Sequence, residues 1–227
     1  MIPARGGSKG IKLKNLRKIF KKSLVEIAID FSKSLKITEF IAVSSDNKKI
    51  LNLAKKKGVI GINRPKKLSG DLVSDFKVIF HTVRNLEIKR KENFDYIFYL
   101  QPTSPFRRKN DILKAFDKVK TNKYDCSFSV SPINVKHHPK KIFNIKNKNL
   151  NLYLKAGEKI IARQQLEDIY IRNGIFYIFK RNKLFSKKSI YLRKNFPFII
   201  NYNFTNIDNP EDLKESRLVA KGKKFFR

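Results

Sequence analysis

Apolar residues follow two different spacings over the first 125 positions of the chain. Short apolar runs at 39–44 and 95–101 are typical of strands that are buried on both faces. Apolar residues at helical spacing predict helices at 16–34, 47–57, 74–90 and 109–120. Strands that alternate with helices in this way predict an α/β fold built on a doubly wound, mainly parallel sheet.

Residues that start or stop a helix stand at the ends of these segments. Ser74 or Asp75 is expected to cap the third helix, and Asn110 or Asp111 the fourth, because their side chains accept hydrogen bonds from free N–H groups. Gly58 follows the second helix and is expected to end it.

Beyond residue 125 the pattern favours strands. Strand-like stretches lie at 125–133, 141–146, 149–154, 174–180 and 196–204. Asn-Lys-Asn at 147–149 predicts a hairpin turn, and a closing helix is expected from Asn209, since Pro210 suits a first helical turn. We predict a single domain over 1–227, with a small strand-rich insertion around 134–172 that forms a homodimer with a second subunit.

The charge of the chain is strongly positive. Lys and Arg number 52 against 19 Asp and Glu, a net charge of +33, which in many proteins indicates a nucleic-acid partner. Here the lysines are spread along the whole chain, and most Phe residues occupy positions typical of a core rather than of a base-stacking groove. We therefore expect no nucleic-acid partner, and keep a catalytically weak, polyanion-binding protein as the alternative from a different class.

Cysteine and apolar content indicate the compartment. Cys126 is the one cysteine of the chain and cannot form an internal disulfide, which fits a reducing cytoplasm. The opening sequence has no apolar h-region, and no run approaches the ~20 apolar residues of a membrane span. We expect a cytoplasmic protein without a membrane partner.

A glycine-rich loop opens the chain at 4–10, with the sequence Ala-Arg-Gly-Gly-Ser-Lys-Gly, and Lys14 and Asn15 follow it. Glycines let backbone N–H groups approach a phosphate, and Arg and Lys neutralise its charge. The loop is neither a Walker A motif nor a GxGxxG fingerprint, and alone it is more often a surface turn.

Two further segments carry candidate chemistry. Gln-Pro-Thr-Ser-Pro at 101–105 follows a strand, where open α/β sheets bind ligands. Asn206 and Asp208 share a face if their segment is extended, and their oxygens could hold Mg²⁺ beside a triphosphate. The alternatives without a catalytic role are a rigid turn for the first segment and a helix cap at 208–212 for the second.

Together these segments resemble the acylneuraminate cytidylyltransferase family over nearly the whole chain. The matching segments, in order, are IPARGGSKG at 2–10, KN at 14–15, VSSD at 43–46, RP at 64–65, LQPTSPFR at 100–107, HHP at 137–139, RQQL at 163–166, NGIFYI at 173–178 and NIDNPEDL at 206–213. The resemblance implies a Rossmann-like nucleotidyltransferase fold and an enzyme that joins CTP to a nonulosonic, sialic-type sugar acid with release of pyrophosphate. Enzymes for 3-deoxy-manno-octulosonic acid share the opening loop, and another sugar-acid nucleotidyltransferase is therefore the alternative enzyme.

The resemblance also implies roles for particular residues. The nucleotide would be bound by Arg5, Gly6, Gly7, Ser8, Lys14, Asn15 and Arg64. The sugar acid would be bound by Gln101, Lys141, Arg163, Asn173 and Tyr177. Asp208 would bind Mg²⁺ with Asn206 beside it, and Arg5, Lys14 and Asp208 would carry catalysis.

Two departures from the family pattern affect these expectations. Only Met1 and Ile2 stand where the family has an apolar strand before Pro-Ala-Arg, and we expect a misplaced start codon, with a degraded gene as the alternative. Asn206 stands where the family has Asp, so we expect weaker metal binding than in a site with two carboxylates.

Overall fold

A computed structural model describes residues 1–121, 123–202 and 204–222 and divides the chain into two units. Among the described residues, the first unit comprises 1–121, 123–129, 173–198 and 204–222, and the second comprises 130–172 and 199–202. Within the part of the chain that is described, no helix is both long and apolar enough to cross a membrane.

Eleven strands and six α-helices are described, together with short 3-10 turns. The strands are β1 (Ile2–Pro3), β2 (Lys18–Ile19), β3 (Lys22–Ser23), β4 (Ala42–Ser45), β5 (Ile60–Asn63), β6 (Tyr96–Tyr99), β7 (Cys126–Pro132), β8 (Phe143–Lys146), β9 (Asn149–Leu152), β10 (Tyr170–Lys180) and β11 (Asn195–Ile199). The helices are α1 (Leu24–Ser34), α2 (Lys48–Lys56), α3 (Asp75–Arg90), α4 (Lys109–Lys120), α5 (Arg181–Lys187) and α6 (Pro210–Gly222).

The central strands form the parallel sheet that the sequence predicts. β1 pairs in parallel with β4, and β4 with β5. Met1 joins β1 to β6, because its amino group donates to Phe98 O at 2.7 Å and its carbonyl accepts from Leu100 N at 3.0 Å. On the far side of β6 the order continues through β10, β7 and β11, and β10 runs antiparallel to β6. The α/β, mainly parallel fold is confirmed. The strand predicted at 174–180 is part of β10, and the sequence pattern did not indicate that it runs antiparallel.

The apolar positions of β1, β4, α1 and α2 meet in one core. Ile2, Val25, Ile29, Val43 and Ile50 have no exposed surface and pack together. Val25 and Ile29 lie four positions apart on one face of α1, so the spacing that predicts this helix also places it on the sheet.

The prediction of a helix over 16–34 is wrong in its first half. A β2–β3 hairpin, with Phe20 at φ 54°, precedes the helix, and α1 begins only after Ser23. Ser23 forms a capping box with Glu26: its hydroxyl accepts from Glu26 N at 3.4 Å, and the Glu26 carboxylate accepts from Ser23 N at 2.8 Å. This box satisfies the first free N–H groups and so fixes the start of the helix.

The caps of the later helices agree with the sequence in one case and not in the other. Ser74 caps α3 and accepts from Lys77 N at 3.4 Å, as predicted. Asn110 and Asp111 do not cap α4, since the helix begins at Lys109 and both residues lie in its first turn. The Asp111 carboxylate in the first turn still stabilises the helix, because it lies near the positive end of the helix dipole.

The second unit contains the β8–β9 hairpin. Its turn is the one predicted at 147–149: Asn147 and Lys148 have φ of 50° and 63°, and Lys146 faces Asn149. Two consecutive residues with positive φ produce a twist that matches a two-residue hairpin.

Candidate active site

A pocket of about 410 Å³ lies in the first unit, beyond the carboxyl ends of β1 and β6. Open α/β sheets bind their ligands at this edge, because the loops that follow neighbouring parallel strands diverge there. The predicted site residues that line the pocket are Arg5, Ser8, Lys14, Asn15, Arg64, Gln101 and Asp208. Lys9 and Asp71, to which the sequence assigned no role, also line it.

The glycine-rich loop is fixed to the sheet through its backbone. Gly6 N donates to the Asp46 carboxylate at 2.7 Å, and a Cβ on Gly6 would lie 2.9 Å from that of Asn47, so a larger residue would force the loop away. Asn15 is buried and donates its side-chain amide to Arg5 O at 2.9 Å. Asn15 therefore holds the backbone that carries Arg5. The Gly6 N–H group already has a carboxylate partner, and a role for it in phosphate binding stays a prediction.

Four cations face the pocket, and carboxylates partner three of them. Arg5 Nη1 and Lys9 Nζ lie 2.8 Å and 2.7 Å from the two oxygens of Asp71. Lys14 Nζ lies 2.9 Å from Asp208 Oδ1 and also donates to a backbone carbonyl at 2.8 Å. A polyphosphate entering this pocket would meet cations that are already held in place.

Arg64 is the most buried of these cations. Only 5% of it is exposed, and its Nη2 donates to Ser44 O at 2.7 Å. Burial lowers the pKa of the Arg64 guanidinium, although Tyr99 and Asp46 nearby act in the opposite direction. Because an arginine starts from so high a pKa, it stays charged and contributes a fixed positive charge to the inner wall of the pocket.

Two loops meet at the 206–208 segment. Ile207 N donates to Thr103 O at 2.8 Å, and Ser104 Oγ donates to Asn206 Oδ1 at 3.2 Å. Gly10 packs so closely on this segment that a Cβ there would lie 2.3 Å from Asp208 O. The glycine-rich loop, the Gln-Pro-Thr-Ser-Pro loop and the 206–208 segment therefore form one continuous wall.

The Asp208 side chain faces the pocket rather than capping α6. The cap is formed by Asn209 and Asp212: Asp212 N donates to Asn209 Oδ1 at 2.8 Å, and Asp212 Oδ2 accepts from Asn209 N at 3.0 Å. Asp208 Oδ2 accepts from Asn206 Nδ2 at 3.0 Å. The Asp208 side chain is two-thirds exposed. Asn206 turns its N–H side toward Asp208 and its oxygen toward Ser104.

The residues predicted for the sugar acid are placed differently from one another. Gln101 lines the pocket, and Gly174, at φ 71°, lies so close that a Cβ there would be 2.5 Å from Gln101 Oε1. Asn173 and Tyr177 are buried and are not among the residues that line the pocket. Asn173 accepts from Ser129 Oγ at 2.5 Å, and Tyr177 stacks on Tyr99 with ring centroids 6.0 Å apart.

Lys141 and Arg163, also predicted to bind the sugar acid, belong to the second unit. They line a pocket of about 300 Å³ within that unit, together with Ile161 and Leu166. The structure thus brings these two cations to one pocket, which is not the pocket that Gln101 lines, and their role in sugar-acid binding stays a prediction.

Asp46 and Asp71 are the partners that sequence reasoning missed. Asp71 is 66 positions from Arg5, and no periodicity or local motif joins residues at that distance. Asp46 stands in the segment Val-Ser-Ser-Asp, which the sequence singled out without giving its carboxylate a role.

An α/β sheet with a cation-lined pocket beyond its strand ends is typical of proteins that bind nucleotides. Comparison with known proteins then gives the family. The family model described as Cytidylyltransferase matches residues 1–225, and the chain belongs to the cytidylyltransferase family. The predicted resemblance and the assignment to the nucleotidyltransferases are thereby confirmed.

Two relatives and one solved structure illustrate the likeness. The chain is 31% identical over 211 residues to the CMP-N,N'-diacetyllegionaminic acid synthase of Legionella pneumophila, covering 92% of this chain and 88% of that protein. It is 29% identical over 225 residues to the post-translational flagellin modification protein B of Campylobacter coli, covering 98% and 94%. A CMP:2-keto-3-deoxy-manno-octonic acid synthetase solved with CTP has the same fold, with a TM-score of 0.69 at 15% identity and 98% of each chain covered.

Proposed function

We propose that this protein transfers CMP from CTP to a nonulosonic, sialic-type sugar acid and releases pyrophosphate. The observation that carries the proposal is the pocket in which Arg5, Lys9, Lys14 and Arg64 converge beside Gln101. The Legionella relative, whose name states a CMP-sugar acid as its product, supports the choice of substrates. CMP-sugar acids of this kind would supply the assembly of surface glycans or glycoproteins.

Positioning and charge neutralisation would supply most of the catalysis. Arg5, Lys14 and Ser8 would hold the triphosphate while the sugar hydroxyl attacks the α-phosphate in line with the departing pyrophosphate. Gln101 lies on the same wall and would orient the sugar acid. In the second unit, Lys141 and Arg163 would act on the sugar or phosphate side.

Mg²⁺ would be held by Asp208, because this residue lines the pocket and its side chain is two-thirds exposed. When bound, the metal neutralises charge on phosphate oxygens. Asn206 would become a second ligand only after a half-turn of its amide, which exchanges the positions of its oxygen and nitrogen.

The lone buried Cys126, which has no disulfide partner, supports a cytoplasmic location for the reaction.

Base choice is the first test of the proposed function. With a panel of sialic, legionaminic and pseudaminic acids and 3-deoxy-manno-octulosonic acid, pyrophosphate release from CTP is expected to exceed release from UTP, because the family uses CTP. The sugar acid that gives the highest kcat/KM would be identified as the preferred substrate. Equal turnover of CTP and UTP would contradict the cytidylyltransferase assignment, and a preference for 3-deoxy-manno-octulosonic acid would establish the alternative enzyme.

The second unit presents the surface through which we propose a homodimer. Its exposed apolar side chains include Phe143, Ile145, Leu150, Tyr153 and Ile161, with exposures from 54% to 93%. Ile145 faces Leu150 across the β8–β9 pair, so the two side chains share one face of the hairpin. Exposed apolar patches of this kind mark protein interfaces.

Charge on this hairpin is expected to break the dimer. Light scattering should give twice the chain mass for the parent and a monomer for Ile145→Asp with Leu150→Asp, because burying two carboxylates in an interface is strongly unfavourable. Ile88→Asp is the matched control, since Ile88 is 69% exposed on α3 in the other unit. A parent that is monodisperse as a monomer and fully active would refute the dimer.

A further inference from the structure

Asp71 holds two cations of the pocket at the same time. Its Oδ1 lies 2.8 Å from Arg5 Nη1, and its Oδ2 lies 2.7 Å from Lys9 Nζ. Hydrogen bonds from Lys9 and then from Arg5 lower the pKa of the Asp71 carboxyl, so the group is anionic at neutral pH. Both cations belong to the glycine-rich loop, and Asp71, which lies outside that loop, is therefore an internal counter-ion for it.

The Asp71 carboxylate uses the same hydrogen-bond donors that a phosphate would use. A carboxylate is planar and a phosphate is tetrahedral, but both are anions whose oxygens accept charge-assisted hydrogen bonds. The two Asp71 oxygens that bridge an arginine and a lysine therefore resemble two oxygens of a phosphate group. The N–H groups of Arg5 and Lys9 that bond Asp71 are available to a phosphate only after those bonds break. A polyphosphate that enters the loop must compete with Asp71.

The other hydrogen bonds described for the segment that carries Asp71 are mostly local: Ser69 N donates to Lys66 O at 2.9 Å, and Val73 N donates to Gly70 O at 3.4 Å. Residues 69–73 join the 3-10 turn at Lys66–Leu68 to α3. The Leu72 side chain next to Asp71 is fully exposed, and Gly70 on the other side is exposed as well. Arg5 Nη1 also donates to Ser69 O, at a long 3.4 Å. The 69–73 segment buries little apolar surface. An anion that binds Arg5 and Lys9 in place of Asp71 can therefore displace this segment at a small cost in free energy.

We propose that Asp71 is an affinity-determining counter-ion of the polyphosphate site. It holds Arg5 and Lys9 at the pocket when no nucleotide is bound, is displaced by the phosphates of the substrate, and competes again with the pyrophosphate product. The inference deepens the proposed function, on which it rests for the identity of the anion, by naming the residue that sets how tightly polyphosphate is retained. Asp71 is a positioning residue, because it acts through the two cations.

Inorganic pyrophosphate, titrated by calorimetry without metal, is the probe for this role. Asp71→Asn is expected to lower the Kd for pyrophosphate about three- to tenfold, because the cations lose their internal partner and exposed ion pairs are individually weak. Asp71→Glu keeps the charge and should stay near the parental Kd. Asp117→Asn removes the same charge from an exposed position on α4 and measures the effect of net charge alone.

A Kd for Asp71→Asn that is equal to or higher than that of Asp117→Asn would overturn the proposal. The difference between these two variants should also shrink as NaCl is raised from about 0.05 to 0.5 M, since salt screens exposed charges. A difference that does not change with salt would indicate a rearranged pocket and would equally overturn it. Pyrophosphate carries neither base nor sugar, so failure of the CTP assay and failure of this titration are separate results.

Discussion

Replacing Arg5 by Ala is expected to lower kcat/KM for CTP about 10²- to 10³-fold, the loss typical of a preorganised contact that stabilises developing charge. Arg5 lines the pocket, is one-third exposed, and has its backbone held by Asn15. Its guanidinium offers two parallel donors to a phosphate, which Ala removes. Steady-state pyrophosphate release at varied CTP measures the effect, and a fall in both kcat and kcat/KM would place the contact in the transition state.

Two variants control for folding and for charge. Arg90→Ala removes one positive charge from α3, where the guanidinium stacks on Phe40 at 4.7 Å, and should leave kcat/KM within a factor of about two. Arg5→Lys keeps the charge without the two parallel donors and should fall between parent and Arg5→Ala. Activity of Arg5→Ala within a factor of about two of the parent would place Arg5 outside the site.

Local signals in the sequence predicted most of the helices and central strands. The segment at 47–57 became α2, which spans Lys48–Lys56, and the segment at 74–90 became α3. Both have apolar residues at helical spacing and a polar cap directly before the first turn. The error at 16–34 has a local cause as well, because the Ser23–Glu26 capping box stands in the sequence and marks the true start of α1.

The site could be predicted only as far as its loops carry recognisable motifs. The glycine-rich loop and the 206–208 segment were identified separately, but nothing in the sequence states that Gly10 lies against the backbone of Asp208. The pairing of Arg5 with Asp71 likewise depends on where α3 begins relative to β1, which is a property of the folded sheet. Long-range contacts of this kind follow from topology, and a single sequence contains no periodic signal for them.

The metal site gives the second large expected effect: Asp208→Asn should nearly abolish turnover. A hard cation prefers carboxylate to amide oxygen, and in the structure Asp208 is the carboxylate that the 206–208 segment turns toward the pocket. The cap of α6 belongs to Asn209 and Asp212, so loss of a helix cap would not explain the result. Initial rates at varied Mg²⁺ measure it, and Asn209→Ala is the control for the cap, because it removes the acceptor of Asp212 N without removing a side chain that lines the pocket. Asp208→Asn with rates near the parent at all Mg²⁺ concentrations would remove Asp208 from the site.

Asn206→Asp tests the same site in the opposite direction. Asn206 Nδ2 lies 3.0 Å from Asp208 Oδ2, so an aspartate at 206 would place two carboxylates in contact, which is unfavourable unless a cation lies between them. Without metal, the variant is therefore expected to have a lower thermal unfolding midpoint than the parent. When Mg²⁺ is added, the midpoint of the variant should rise by more than that of the parent, because a metal that binds the folded state stabilises it. The Mg²⁺ concentration for half-maximal rate should fall as well, since the second carboxylate strengthens the ligand set. Ser104 Oγ, which donates to Asn206 Oδ1 at 3.2 Å, would retain an acceptor in the variant, so its hydrogen bond does not confound the comparison. Midpoints and half-maximal Mg²⁺ concentrations that match the parent would show that position 206 does not face the metal, and the weakened-ligand hypothesis for Asn206 would then be wrong.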